Sequence, residues 1–303
     1  MQITANGITL EVEIHGPETG AALILVRGLG TQLIHWPIEL IAGFAAAGYR
    51  TVIFDNRDTG LSARCPAEGV PTAPRDILHS LKSGGRPRLA YTLDDMARDI
   101  VGLMDALGIA RAHVLGISMG GAITQLLALD HPSRLLSAII VMSAAGLRDP
   151  ALLAQILVSD MNRAEAQEVW VAGHRIWGSP GYPRPEDEIR AEAGRAWDRG
   201  AEAAGINRQA MATVLASDRR PRLPSVTTPA LVIHGADDRL IPSDASREIA
   251  ALIPEADLRI IPGMGHVISP SLAPTIVRLV DDFIKKVAKD RDSGARDDTS
   301  IAP

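Results

Sequence analysis

Cysteine is almost missing from this chain: Cys65 stands alone, so no intramolecular disulfide can form. It lies in Ala63-Arg64-Cys65-Pro66 with no histidine close in sequence, the setting of a loop or buried thiol and not of an activated nucleophile. Basic charge is in the minority as well. With 31 Lys and Arg against 36 Asp and Glu the net charge is −5, and no charge run occurs outside the C-terminal tail. That gives no footprint for nucleic acid or for an anionic membrane surface. No apolar run approaches the ~20 residues of a membrane span. The start, Met1-Gln2-Ile3-Thr4-Ala5-Asn6-Gly7, lacks the basic-then-apolar pattern of a secretory signal. Metal-ligand spacings, phosphate loops and dinucleotide fingerprints are missing too, so no cofactor and no metal is implied. The expected setting is the cytoplasm. The expected partner is a small, uncharged or weakly charged molecule, with homo-oligomerisation left open. Aromatic residues make up only 3% of the chain, yet Trp170, Trp177 and Trp197 fall close together.

What is present is a rhythm of strands and helices without internal repeats. A chain of 303 residues can form one large α/β core carrying an insertion. Asn6-Gly7 between two alternating segments, Gln2–Ala5 and Ile8–Ile14, is a two-residue hairpin signal. Ala21–Val26 is continuously apolar, as a strand buried on both faces should be, and runs into Arg27-Gly28-Leu29-Gly30. A helix is expected from Trp36 to Gly48, a strand from Tyr49 to Asp55, and a long Pro-, Gly- and Arg-rich loop with one short helix over 63–90. Thr92 caps an amphipathic helix reaching about Gly108. Ser137–Ser143 is the next strand. From about Leu147 to Pro221 no strand pattern appears, only helical stretches broken by Gly178-Ser179-Pro180-Gly181-Tyr182-Pro183-Arg184-Pro185. Strands resume at Ala230–Gly235 and Asp257–Ile261, with helices near Ser243–Leu252 and Ser271–Lys289. This order implies a mainly parallel sheet with helices on both faces. It divides the chain into a core (1–146 and 221–289), a helical cap (147–220) and a tail (290–303) expected to be disordered.

The chemistry centres on Gly116-Ile117-Ser118-Met119-Gly120. The short strand Ala112–Leu115 precedes it and a buried helix follows, so the motif sits at a strand-to-helix turn. In a G-x-S-x-G elbow the two backbones nearly touch, which requires residues without a Cβ two places either side of the serine. Ser118 is thereby held out at the carboxyl end of the sheet, beside helix N–H groups that suit a developing negative charge. A serine needs a base, and the base an orienting acid. Among eight histidines, His266 in Gly263-Met264-Gly265-His266 follows the last strand and so reaches the same rim. His234, His113, His131, His15 and His79 sit where structural or solvated roles are expected, while His35 and His174 are candidate pocket residues. The strand ending at His234-Gly235 delivers Asp237 and Asp238 to that rim.

Taken together, Arg27-Gly28-Leu29-Gly30, Gly116–Gly121, His234-Gly235-Ala236-Asp237-Asp238 and Gly263–His266 resemble the α/β-hydrolase family from end to end, in the order nucleophile, acid, histidine. Asp55-Asn56-Arg57-Asp58-Thr59-Gly60-Leu61-Ser62, the Gly178–Gly181 turn and Ile261–His266 are similar to the aclacinomycin methylesterase-like branch of esterases. The resemblance implies an α/β-hydrolase fold with an eight-stranded sheet and a Ser118, Asp238, His266 triad, the acid standing three residues after the glycine of His234-Gly235. An oxyanion hole is expected from the N–H of Met119 and, by resemblance, that of Leu29. Many relatives carry histidine where this chain has Arg27. Two readings of Arg27 stand: a brace of the loop through a carboxylate such as Asp55 or Asp58, or an exposed strand-end charge. Pocket candidates are His35 and Trp36, just past the oxyanion loop, with Trp170, His174, Trp177 and Trp197 in the cap. The implied activity is serine carboxylic-ester hydrolysis of small to medium esters. Same-triad C–C bond hydrolysis, perhydrolysis and ligand sensing are alternatives; dehalogenase and epoxide-hydrolase chemistry, which uses an elbow aspartate, is excluded by Ser118.

Overall fold

The computed structural model describes residues 1–83, 87–146 and 152–297. Eight strands form one sheet: β1 (Gln2–Ala5), β2 (Ile8–His15), β3 (Ala22–Val26), β4 (Arg50–Phe54), β5 (Ala112–Ile117), β6 (Leu135–Val141), β7 (Ala230–Gly235) and β8 (Asp257–Ile261), in the order β1-β2-β4-β3-β5-β6-β7-β8. The first two pair antiparallel across the Asn6-Gly7 turn, where both residues take positive φ, and β2 meets β4 antiparallel; every later pairing is parallel. The eight-stranded, mainly parallel sheet expected from the sequence is therefore present.

The apolar strands are continuous because both faces are covered. Along β3, Ile24 and Val26 face one core with α3 (Leu93–Ala106) and α4 (Met119–Asp130). Leu23 and Leu25 face the other, with α1 (Ile38–Ala46) and α10 (Ala273–Asp297). This is the period-2 alternation of a strand with two apolar environments. Thr92 caps α3 through a reciprocal pair with Asp95. The long 63–90 loop holds α2 (Pro74–Lys82).

Two helix boundaries differ from expectation. Trp36 is extended (ψ 126°) between a 3₁₀ turn at Leu33–His35 and α1, because the residue before a proline is pushed out of the helical region by Pro37. At the other end α10 continues to Asp297 and takes in 290–297 of the expected tail, since no proline interrupts the run before Pro303. The remainder of the tail, 298–303, lies outside the described residues.

Sheet order fixes where a site can form. From β3 the chain moves outward to β4, then returns across β3 to β5, so their carboxyl ends diverge at a topological switch point. The register pairs Val26 with Gly116, which sets the Arg27–Gly30 loop beside the Ser118 turn. Between β6 and β7 lie α5 (Leu152–Ile156), α6 (Arg163–Trp177), α7 (Glu186–Asp198) and α8 (Ala203–Val214). Among the described residues no helix is long and apolar enough to cross a membrane.

Candidate active site

Ser118 has φ 53° and ψ −118°, a conformation that costs a non-glycine residue roughly 1–3 kcal/mol. Its surroundings over-determine it. Ser118 N–H donates to Val141 O (2.9 Å), and its carbonyl accepts from Ser143 Oγ (2.8 Å) and Ala122 N (3.2 Å). The two elbow glycines are required by close approach: a Cβ on Gly116 would lie 2.1 Å from Gly120 O, and one on Gly120 2.2 Å from Val26 O. A strand can turn into a helix within one residue here only because nothing projects from those two positions.

His266 and Asp238 meet across the ends of β7 and β8. His266 Nδ1 lies 2.7 Å from Asp238 Oδ2, while Oδ1 of the same carboxylate accepts from Leu240 N and Ile241 N, both at 2.9 Å. Because a carboxylate only accepts, Nδ1 carries the proton in the neutral ring and Nε2 presents its lone pair. That Nε2 is buried, has no hydrogen-bond partner among the described residues, and belongs to a ring lining the same cavity as Ser118. Asp238 also has a second histidine: His234 Nε2 lies 3.2 Å from Oδ2 and donates to Ile241 O at 2.9 Å, with Ser246 Oγ on Nδ1 at 2.6 Å. Burial by itself would raise the Asp238 carboxyl; the hydrogen bonds from His234 and His266 outweigh it and hold the group far below the usual carboxylate range. The sequence placed His234 as structural; its contact with Asp238 follows from the four-residue spacing across the turn and was missed.

Also missed was the docking of the helical insertion onto the His266 loop. His266 N–H donates to Trp177 O (2.7 Å), Gly181 N to Gly263 O (2.8 Å) and Gly265 N to Ser179 Oγ (2.9 Å), and Ser179 Oγ donates to Val267 O (2.5 Å). Glycines meet glycines there, since a Cβ on Gly265 would sit 2.1 Å from Gly178 O. The Gly-Ser-Pro-Gly break in a helical run was the available signal.

Leu29 and Met119 both line the cavity. Met119 opens α4, so its N–H has no acceptor within the helix. Gly28 is pressed against the serine, where a Cβ would lie 3.2 Å from that of Ser118. The loop is fixed from the insertion: Gly30 N–H donates to Gln209 Oε1 (2.8 Å), and Gln209 Nε2 to Arg57 O (2.7 Å). The Asp55–Ser62 segment explains itself through the same contacts. Asp55 takes Leu33 N (2.7 Å), Leu61 N (3.0 Å) and Arg199 (2.8 Å); Asp58 takes both prongs of Arg208 (2.8 and 2.7 Å) and the Tyr91 hydroxyl (2.6 Å).

Neither reading of Arg27 holds. Asp55 and Asp58 have those other partners, and Arg27 is only 8% exposed. Its Nε donates to Thr31 Oγ1 (3.1 Å), its Nη1 to His35 O (3.3 Å), and its guanidinium lies 4.5 Å from the centre of the Trp36 ring. Burial pulls it down to about 10, with Glu192 opposing and Arg184 assisting.

The cavity over Ser118 has a volume of about 240 Å³. Of the expected pocket residues, His35, Trp170, His174 and Trp177 line it, their rings 4.5–5.5 Å apart in a chain. Trp36 and Trp197 are not among its lining residues. Trp36 packs into the core beside α1. Trp197 follows the inward Glu192 by five residues, which turns it roughly 140° around α7. The walls carry charge: Arg27, Arg184, Arg219 and Glu192 all contribute. Glu192 accepts both prongs of Arg184 (3.2 and 2.9 Å). His35 is pushed down to about 4 by burial, with Arg27 assisting against Glu192, and burial lowers His174 too. Among the described residues no group of three or more His, Cys, Asp or Glu side chains is arranged to hold a metal.

The sequence model of the alpha/beta hydrolase family matches residues 23–278. "Putative carbamate hydrolase RutD" of Variovorax paradoxus is 30% identical over 286 residues, spanning 92% of this chain and 97% of its own. Rhodomycin D methylesterase DnrP of Streptomyces peucetius is 30% identical over 294 residues, spanning 87% and 91%, in keeping with the resemblance to the methylesterase-like branch. Among solved structures, the enol-lactonase from Burkholderia xenovorans LB400 superposes with a TM-score of 0.73 at 24% identity, covering 94% of this chain and all of that one, which establishes the shared fold.

Proposed function

Because the chain belongs to the alpha/beta hydrolase family, we propose that it is a serine carboxylic-ester hydrolase acting through an acyl-enzyme. The observation that carries this is the unpartnered His266 Nε2, backed by Asp238 at 2.7 Å and sharing a cavity with the strained Ser118. Ser118 Oγ attacks the ester carbonyl as its proton passes to His266 Nε2. The N–H groups of Met119 and Leu29 hold the oxyanion. Collapse of the tetrahedral adduct expels the alcohol, which takes the proton from His266. Water then attacks the acyl-serine with His266 again as base, releasing the acid and restoring Ser118. No Ser118–His266 hydrogen bond is formed in the unliganded site; such bonds commonly tighten only once substrate is bound.

In this reading residues 147–220 form a cap on the core of 1–146 and 221–289, and the cavity between them selects small to medium esters. The enzyme acts in the cytoplasm on a small molecule, without a cofactor, a nucleic acid or a membrane. The name of the Streptomyces relative, a methylesterase, supports the ester class.

Turnover of p-nitrophenyl butyrate tests the proposal. Release of p-nitrophenol over many enzyme equivalents is expected; release that stops at one equivalent would replace the enzyme with a ligand sensor. A panel adding vinylogous diketones and peroxide acceptors separates ester hydrolysis from C–C hydrolysis and perhydrolysis.

A further inference from the structure

The charges in the cavity do not balance: once Arg184 and Glu192 are paired, Arg219 and Arg27 remain, and of these Arg27 has a donor nitrogen to spare. Of the four charged side chains named above, Arg184 and Glu192 neutralise one another through a two-pronged pair. Arg219 spends its donors on Gln125 Oε1 (3.1 Å), Ser217 O (3.3 Å) and Ala144 O (2.9 Å). Arg27 has only two acceptors, a hydroxyl and a carbonyl, and among the described residues no carboxylate lies within ion-pair distance of it. Among the described residues its Nη2 makes no hydrogen bond, and it is not one of the fully enclosed unpartnered atoms, so it is left to the cavity that Arg27 lines. Burying a guanidinium without a counter-charge is costly, and its planar fork matches a carboxylate.

The position of that fork relates it to the reaction. Arg27 adjoins Gly28, which is in contact with Ser118, so an anion on Arg27 and a carbonyl at Ser118 can belong to one small molecule. Resting on the ester-hydrolase reading, we propose that Arg27 is a specificity-determining residue that binds a carboxylate carried by the substrate. The preferred substrates are then esters with an anionic group a few bonds from the scissile carbonyl, such as half-esters of short dicarboxylic acids. Glu192 does not oppose this, because its charge is already met by Arg184.

Two matched pairs of esters test the proposal, each pair differing by a carboxylate against an isopropyl group. Monomethyl glutarate with methyl 5-methylhexanoate places the charge on the acyl side; butyryloxyacetate with isobutyl butyrate places it on the alcohol side. In at least one pair kcat/KM should favour the charged ester by roughly tenfold or more, as a charge-assisted contact implies. Arg27→Met should bring that ratio to about one or below, and Arg27→Lys should retain part of it. Ratios near one in the wild-type protein, or a ratio that Arg27→Met leaves unchanged, overturn the proposal. Calorimetric binding of the same esters to Ser118→Ala reads the subsite without turnover. Tighter binding of the charged ester, lost on adding Arg27→Met, supports the subsite even if no ester is hydrolysed, a result that would remove the esterase reading alone. Equal binding of charged and neutral esters overturns the subsite whatever the turnover.

Discussion

Asp237 and Asp238 are neighbours in sequence but serve different partners: Asp238 Oδ2 faces His266 Nδ1 at 2.7 Å, whereas Asp237 Oδ2 accepts Gly263 N–H at 2.7 Å. Only Asp238 can therefore fix the tautomer and tilt of the His266 ring. Asp238→Asn is expected to lower kcat by about 10⁴, the usual cost of removing the orienting acid of such a triad. Asp237→Asn should lose far less, through a looser glycine loop. Kinetics of the two variants on one p-nitrophenyl ester decide the matter, and the reverse ranking would transfer the role.

Ser179 acts on His266 from the insertion, with its hydroxyl bridging Gly265 N and Val267 O on either side of the histidine. Ser179→Ala takes away the partner of the buried Gly265 N–H and of the part-buried Val267 carbonyl, at a cost of about 1–3 kcal/mol. Because the freed loop carries the base, kcat should fall while KM changes little. Ser179→Thr, which keeps the hydroxyl, should recover more kcat than Ser179→Ala. Urea unfolding together with steady-state kinetics reads both effects; a stability loss with unchanged kcat would leave Ser179 a purely structural link.

His35 makes stability depend on pH with a definite sign. Burial, aided by Arg27, pulls the ring down to about 4 from an ordinary 6.5, and Gln32 N–H donates to its Nδ1 at 2.9 Å, which suits a neutral ring. Between those two pH values the unfolded chain binds the extra proton and the folded one does not. The contribution of this group is thus complete above 6.5 and declines as pH falls towards 4. Relative to His35→Asn, the wild-type protein should lose up to about 3 kcal/mol across that window. Acid titration of the carboxylates is common to both proteins and cancels in the difference. Parallel stability profiles would contradict the buried neutral ring.

On the ester-hydrolase reading, the cavity of about 240 Å³ over Ser118 should limit chain length. Each methylene that still fits adds up to ~0.8 kcal/mol of transition-state binding, and one that does not must displace the helices above. Across p-nitrophenyl esters from acetate to palmitate, kcat/KM should rise, peak at a short-to-medium acyl length and then fall. A maximum at the long-chain end, or activation at an oil–water interface, would mean that α5 to α8 open as a lid.

Much of this architecture was legible in the sequence. β3 reads as an unbroken apolar run, and β5 and β7 as largely apolar ones, because their apolar residues meet a core on one face or the other, and Gly116 and Gly120 flank Ser118 because two backbones touch there. Loops after β5, β7 and β8 had to converge on one rim, which pointed to Ser118, His266 and the Asp237-Asp238 pair; the resemblance to α/β-hydrolases selected Asp238. The sequence did not disclose contacts that depend on how the insertion folds back. The pairs Asp55–Arg199 and Asp58–Arg208 join positions 144 and 150 residues apart, and Ser179 reaches Val267 across 88, with no local periodicity to announce them. Arg27 was misread for the same reason: its guanidinium is received by the His35 carbonyl and by the ring of Trp36, the residue expected to open a helix. Trp197 was one aromatic too many, on a helix from which Glu192 reaches the cavity.

Covalent capture tests the central claim, that Ser118 is the nucleophile of an ester hydrolase. Wild-type protein treated with a p-nitrophenyl alkylphosphonate should release one equivalent of p-nitrophenol, gain one phosphonyl mass on the peptide containing Ser118, and lose ester turnover in step. Ser118→Ala should fold with the same thermal midpoint, take up no phosphonyl group and hydrolyse no ester. If the alanine variant keeps as much as about a tenth of wild-type kcat, or if inactivation maps to another residue, Ser118 is not the nucleophile and the mechanism proposed for this site is wrong.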